Sequence, residues 1–127
     1  MGVDIETVVI GAGIIGLSIA EELSRCAQQV MVLERNARPG SETTSRNSQV
    51  IHAGLYYPPG SLRAKMCVEG KQRLYQFCKK HDVPFMRTGK LLIAPQEEDL
   101  PKLHAIAKNA RLCGAGELDL LTPADVK

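Results

Sequence analysis

The sequence lacks a Cys-x-x-Cys pair: its four cysteines, Cys26, Cys67, Cys78 and Cys113, stand 41, 11 and 35 residues apart. Such spacing supports neither a zinc knuckle nor a thioredoxin-type redox site. Cys67 and Cys78 fall in one expected helix, where their separation is about 16 Å, beyond disulfide reach. The four thiols therefore read as reduced, mostly buried fillers in a cytosol-like compartment. An apolar run of membrane-spanning length is also missing. The longest, Thr7 to Ala20, is shorter than a span and is broken by Gly11, Gly13 and Gly16. Asp4 and Glu6 stand where a secretory signal would be positive, and no Arg-rich, acid-poor organelle presequence is visible. These features predict a mature start close to Met1 and a cytoplasmic protein, with membrane attachment through parts outside this stretch left open.

Charge of one sign is scarce as well. Against 14 Asp and Glu stand 16 Lys and Arg, a net +2, too little to argue for nucleic acid or an anionic membrane as partner. Lys79, Lys80 and Arg87 read as a solvated face. Aromatic residues make up 4% of the chain; Tyr56, Tyr57, Tyr75, Phe77 and Phe85 read as packing side chains rather than base-stacking ones. His81 and His104 have no companions at metal-ligand spacing, so both are expected on the surface and no metal site is expected.

What is present begins with Ile5–Ile10, β-branched and nearly continuous in apolar character, as in a parallel strand covered on both faces. Glycines follow, then a helix over Ile14–Gln28 with Ile15, Ile19, Leu23 and Cys26 at helical spacing. Val30–Leu33 is a second short strand ending at Glu34. Strand, glycine turn, helix and strand fit one βαβ unit, whose right-handed crossover sets the strands parallel. The fold class is thus α/β. From Arg35 to Ser61 the chain is rich in Ser, Thr, Asn, Gly, Pro and Arg. A segment of that length without regular structure is expected to wrap against a ligand. Ser61 is placed to cap a helix to about His81, with Cys67, Leu74 and Cys78 on one stripe. Phe85–Ala94 reads as a strand or hairpin. Gln96–Asp99 opens a last helix with apolar face Leu100, Leu103, Ile106, Ala107 and Ala110, stopped by Gly114. Leu121–Asp125 carries the signature of a further helix start, Thr at the N-cap and Pro at the first position. The expectation is an N-terminal piece of a longer protein.

The chemistry concentrates at Gly11-x-Gly13-x-x-Gly16, which follows a strand and opens a helix. Gly11 permits the tight turn, Gly13 lets a pyrophosphate approach the backbone, and Gly16 lets helix and strand pack closely. The N–H groups near Ile14 and Ile15 would then point at phosphate oxygens, with the helix dipole adding attraction. Glu34, 18 residues beyond Gly16, is placed to accept hydrogen bonds from a ribose 2′-OH. The pattern points to a dinucleotide and leaves flavin or nicotinamide open.

After Glu34-Arg35, the run Thr43-Thr44-Ser45-Arg46-Asn47-Ser48-Gln49-Val50-Ile51-His52-Ala53-Gly54-Leu55-Tyr56-Tyr57 resembles the D-amino-acid-oxidase superfamily of FAD-dependent oxidoreductases. Closer still, it is similar to the L-2-hydroxyglutarate dehydrogenase/oxidase group, and the match continues through Pro59–Leu62, Lys65, Cys67-Val68, Gly70 and Gly89–Leu91. The resemblance covers the chain from Val8 to about Val126. It implies the N-terminal part of a Rossmann-like FAD-binding domain over residues 1–82 and the start of an α+β substrate domain over 83–127. It further implies FAD held at its pyrophosphate by Gly11, Gly13, Ile14, Ile15 and the close-packing Gly16, and at its adenosine end by Glu34 and Arg35. Thr43, Thr44, Ser45 and Arg46 would line the pyrophosphate and ribityl chain, and Asn47, Ser48, His52 and Gly54 would approach the isoalloxazine.

The implied reaction is oxidation of a 2-hydroxy acid, with a quinone or oxygen as electron acceptor. His52 has three readings: a base for the substrate hydroxyl, a covalent flavin attachment point, or a histidine that shapes the loop. Other readings of the whole are a glycerol-3-phosphate or amino-acid oxidoreductase, a catalytically silent truncated fragment, and, last, a nicotinamide-dependent dehydrogenase. The related glycerol-3-phosphate stretch is Leu/Ile-His-Gly-Gly, where this chain has Ile51-His52-Ala53-Gly54.

Overall fold

Four consecutive residues of each expected strand form a ladder in the computed structural model of the chain, which describes residues 4–26, 28–122 and 124–125. Strand β1 (Thr7–Ile10) pairs in parallel with β2 (Val30–Leu33), Val9 opposite Val32. Helix α1 (Ile14–Arg25) crosses between them. The result is a mixed α/β arrangement with a parallel two-stranded sheet. β1 starts two residues later than its apolar run, and α1 ends three residues before Gln28. Two compact units are distinguished, Met1–Gln49 and Val50–Lys127.

In the first unit, the helix face toward the sheet differs from the expected stripe. Ala20 is buried and Gly13, Gly16 and Leu23 are half-buried, whereas Ile15, Ile19 and Cys26 are exposed. The cause is the turn. A Cβ on Gly16 would lie 2.0 Å from the Gly11 carbonyl oxygen and 3.4 Å from Val9 Cγ1. Backbone therefore meets backbone here, and the helix is rotated so that its small residues face the strands. On the sheet, Thr7, Val9, Val30 and Val32 are half-buried, while Val8, Ile10, Met31 and Leu33 form an exposed apolar row. From Asn36 to Gln49 the chain is irregular apart from one 3-10 turn at Thr43–Ser45.

The second unit is built on α2 (Leu62–Lys80) and α3 (Leu100–Leu112). Ser61 caps α2 as expected, its hydroxyl accepting the Ala64 N–H at 3.2 Å. The buried side of α2 is Ala64 and Cys78, with Cys67, Val68, Lys71 and Tyr75 half-buried; Leu74, expected on that stripe, is exposed. Among the cysteines only Cys78 is buried, so the expectation of mostly buried thiols is corrected. The strand or hairpin expected over Phe85–Ala94 does not form: residues 83–94 pair in no ladder. A strand exists only through a partner's hydrogen bonds, and none of the described residues of this unit supplies one. A 3-10 turn at Glu97–Asp99 precedes α3, so the helix proper starts at Leu100. Ala110 is fully buried, while Leu100 is exposed. Gly114 (φ +70) ends α3 with the Gly114 N–H on Arg111 O and the Ala115 N–H on Ala110 O, the paired closure that a left-handed residue permits.

Of the expected start at Leu121–Asp125, Pro123 lies outside the described residues. Around it, the Thr122 N–H and hydroxyl both donate to Asp125 Oδ2, at 2.7 and 2.6 Å. These two donors, hydroxyl first, hold the Asp125 carboxyl below the usual carboxylate range. His81 and His104 are exposed, the His81 ring lying against Phe77 at 4.3 Å between centroids with the planes tilted by 33°.

Candidate functional site

The glycine turn is held from three directions. Gly11, at φ +98, is in the left-handed region that only glycine enters freely. Its N–H donates to Leu33 O at 2.7 Å, and the Ala12 N–H donates to Glu34 Oε2 at 2.8 Å. The Gly40 N–H, in turn, donates to Ala12 O at 2.9 Å. The end of β2 and the following loop thus fix the backbone that connects β1 to α1.

Gly13 is the N-cap of α1 and brings no side chain to cap it. The cap comes instead from a distant residue: the Ile14 N–H donates to Thr44 Oγ1 at 3.0 Å. A Cβ on Gly13 would stand 3.2 Å from the same oxygen, so glycine is what allows the hydroxyl this close. Gly13, Ile14 and Thr44, singled out from sequence, are therefore brought together at one helix N-terminus. There the N–H groups and dipole favour an oxygen ligand. Ile14 and Ile15 are exposed over that first turn.

Glu34 has two tasks. Its Oε2 takes the Ala12 N–H, and its Oε1 takes the Asn36 N–H at 2.8 Å and Asn36 Nδ2 at 3.0 Å. The Asn36 and then the Ala12 N–H hold its carboxyl below the usual range. Beside it, Arg35 donates through Nε and Nη2 to Glu42 Oε1, which also accepts from Asn36 Nδ2. The Glu42 bond raises the Arg35 guanidinium and the Arg35 bond lowers the Glu42 carboxyl. Sequence reasoning missed Asn36, Gly40 and Glu42. The Pro39-Gly40 dipeptide is a turn signal that could have found the second; nothing local marks Glu42 as the partner of Arg35.

The remaining candidates divide between the units. Thr43 is exposed, and Ser45 closes the 3-10 turn by donating its hydroxyl to Glu42 O at 3.0 Å. Arg46 and Ser48 are exposed. Asn47 locks the loop: Nδ2 donates to Thr44 O at 2.8 Å, and Oδ1 accepts the Gln49 N–H at 2.8 Å, with Gln49 at φ +56. His52 and Gly54 belong to the second unit. His52 is exposed, whereas Gly54 is buried against α2 at φ +85, where a Cβ would be 3.1 Å from Val68 Cγ2.

The chain is similar in sequence to several known proteins. An L-2-hydroxyglutarate dehydrogenase, mitochondrial, of Arabidopsis thaliana is 48% identical over 102 residues, 80% of this chain and 21% of the relative. Proteins of the same name from Caenorhabditis elegans and Bos taurus are each 36% identical, over 95% and 96% of this chain and 28% and 27% of theirs. The chain spans about a quarter of the length of the relatives it matches. Their names also correct the cytoplasmic expectation, since all three are called mitochondrial. Reduced thiols are compatible with any reducing compartment, so the cysteine argument could not separate the two. The match that spans the turn, the Thr44 cap and the loops beyond runs over residues 6–127 and is to DAO, FAD dependent oxidoreductase; the chain belongs to that family.

Proposed function

We propose that this chain is the FAD-gripping N-terminal part of an oxidoreductase acting on a 2-hydroxy acid of the L-2-hydroxyglutarate kind. The observation that carries the cofactor is the start of α1, a helix N-terminus without its own cap, lined by Gly13 and served by the Thr44 hydroxyl. The set fits a diphosphate through the Thr44 hydroxyl, which accepts the Ile14 N–H and keeps its own hydrogen to donate, and through a glycine at the N-cap where a Cβ would intrude. Gly11, Gly13, Ile14 and Ile15 would hold the diphosphate, with Gly16 keeping the turn tight. Thr43, Thr44, Ser45 and Arg46 would follow the diphosphate and ribityl chain. Glu34 and Arg35 are assigned to the adenosine end, Glu34 Oε2 keeping a lone pair beyond its bond to Ala12. Asn47, Ser48, His52 and Gly54 are assigned to the isoalloxazine end.

The Rossmann-type topology of the nucleotide domain is part of the same reading, supported by the parallel β1–α1–β2 unit. So is the division into a nucleotide domain over residues 1–82 and the start of a substrate domain over 83–127. The substrate class rests on the names of the relatives. When bound, FAD supplies a two-electron acceptor at N5 for the hydride of the carbinol carbon. The hydroxyl proton goes to a base, for which His52 is this chain's candidate. The product would be the 2-oxo acid, with a quinone or oxygen as the final electron acceptor.

Absorbance of the purified full-length protein tests the cofactor, and bleaching of that absorbance across a panel of 2-hydroxy acids, glycerol 3-phosphate and amino acids tests the substrate. Bleaching by L-2-hydroxyglutarate alone is expected. A full-length protein that carries no flavin and cannot be loaded with it would overturn the reading.

A further inference from the structure

Asn109 stands inside α3, a position where asparagine is a weak helix former. Its side chain is half-buried, and Nδ2 donates to Leu55 O at 2.7 Å and to Tyr57 O at 2.9 Å. Both partners are carbonyls, so only the NH2 side of the carboxamide can face them. Cys113, one turn later, donates its thiol to the same Tyr57 O at 3.4 Å. Buried Gly54 lies against α2, where a Cβ would be 3.1 Å from Val68 Cγ2 and 3.4 Å from Cys67 Cβ. The backbone from Gly54 to Tyr57 is thereby held by contacts with both helices, and His52 leaves it two residues upstream.

We propose that Asn109 is a positioning residue: by spending both amide hydrogens on Leu55 and Tyr57, it sets the course of the segment that presents the exposed His52 to the flavin. The inference rests on the function proposed above for that segment. Asn109 itself touches neither substrate nor cofactor; it acts through the backbone it holds. Two donors on one rigid amide define the direction of the segment as well as its distance from α3, which a single bond would not do. An error of about 1 Å in such a segment costs up to about 100-fold in rate, because reacting atoms must meet in a narrow range of approach.

Asn109→Asp in the full-length holoprotein keeps the shape and replaces the donor by an acceptor facing two carbonyls. The expected variant carries FAD at the wild-type ratio but with an altered visible flavin spectrum. Its kcat falls about 10- to 100-fold while KM stays within about 2-fold. Amide hydrogen exchange quickens across residues 54–58. Should Asn109→Asp not fold, Asn109→Ala makes the same test without the repulsion. A folded variant with wild-type spectrum, exchange and turnover overturns the inference. So does a loss of activity that only follows the loss of folded protein, with the flavin spectrum unchanged. A wild-type protein that binds no FAD would instead overturn the cofactor reading, and the inference with it.

Discussion

Gly16 is the residue with least freedom. Its missing side chain is occupied by the Gly11 carbonyl oxygen, 2.0 Å from where a Cβ would stand. Gly16→Ala must therefore push α1 away from β1, at a cost of about 3 kcal/mol, visible as a lowered denaturation midpoint and loss of retained flavin in the full-length protein. Thr44→Val keeps the volume and removes the acceptor of the Ile14 N–H. A loss of about 1 kcal/mol in thermal unfolding of the full-length protein is expected, with Thr44→Ser close to wild type. Glu34 gives a pH dependence of known sign. Its carboxyl is held below the ordinary range by the Asn36 and Ala12 N–H groups. The stability it contributes is complete above the ordinary carboxylate range and is lost as pH falls through the depressed value. Acid titration of unfolding of the full-length protein should show that loss in the wild type and a smaller one in Glu34→Gln.

At the scale of elements, helix ends were more legible than helix faces. Ser61 and Gly114 are local signals with a local mechanism, a hydroxyl for a free N–H and a left-handed residue for a closing turn, and both ends fall where they direct. β2 was bounded correctly because Glu34 and the polar loop follow it at once. The rotation of α1 was not legible from hydrophobic periodicity, since the contact between Gly16 and Gly11 outranks the apolar stripe of Ile15 and Ile19. The span Phe85–Ala94 has strand composition without a strand, because pairing is a property of two segments. Asn109 gave no signal at all: its partners lie 54 and 52 residues away, and an isolated polar residue in a helix has no period. The site divided in the same way. The glycines and Thr44 belong to recognisable runs, whereas Glu42 and Asn36 act through partners that only the folded loop brings near. One end remains improvable. Asp82 follows α2 at φ +53, a conformation that glycine enters more cheaply. Asp82→Gly in the full-length protein should raise stability by about 0.5 kcal/mol in chemical denaturation, the gain being offset in part by greater freedom in the unfolded chain.

For the molecule as a whole, the decisive quantity is uncovered apolar surface. Among the described residues the buried apolar set is Ala12, Ala20, Leu55, Ala64, Cys78 and Ala110, small side chains but for one leucine. Val8 (48% exposed) and Ile10 (87% exposed) lie on the bare face of a parallel sheet, a type normally covered on both sides. The 127-residue chain on its own should therefore bind a hydrophobic dye such as ANS strongly and unfold without a sharp transition. A dye-silent chain with a sharp calorimetric peak would contradict this.

The order in which a ribosome delivers these parts also matters. The N–H that opens α1 finds its acceptor 30 residues further along. When α1 emerges during synthesis, its first turn has only water to bond. That turn matures after the polypeptide has grown past Thr44 and the intervening loop has closed, at an entropic cost that rises slowly with loop length. The helix N-terminus proposed to grip a diphosphate is thus assembled late, from pieces made at different times.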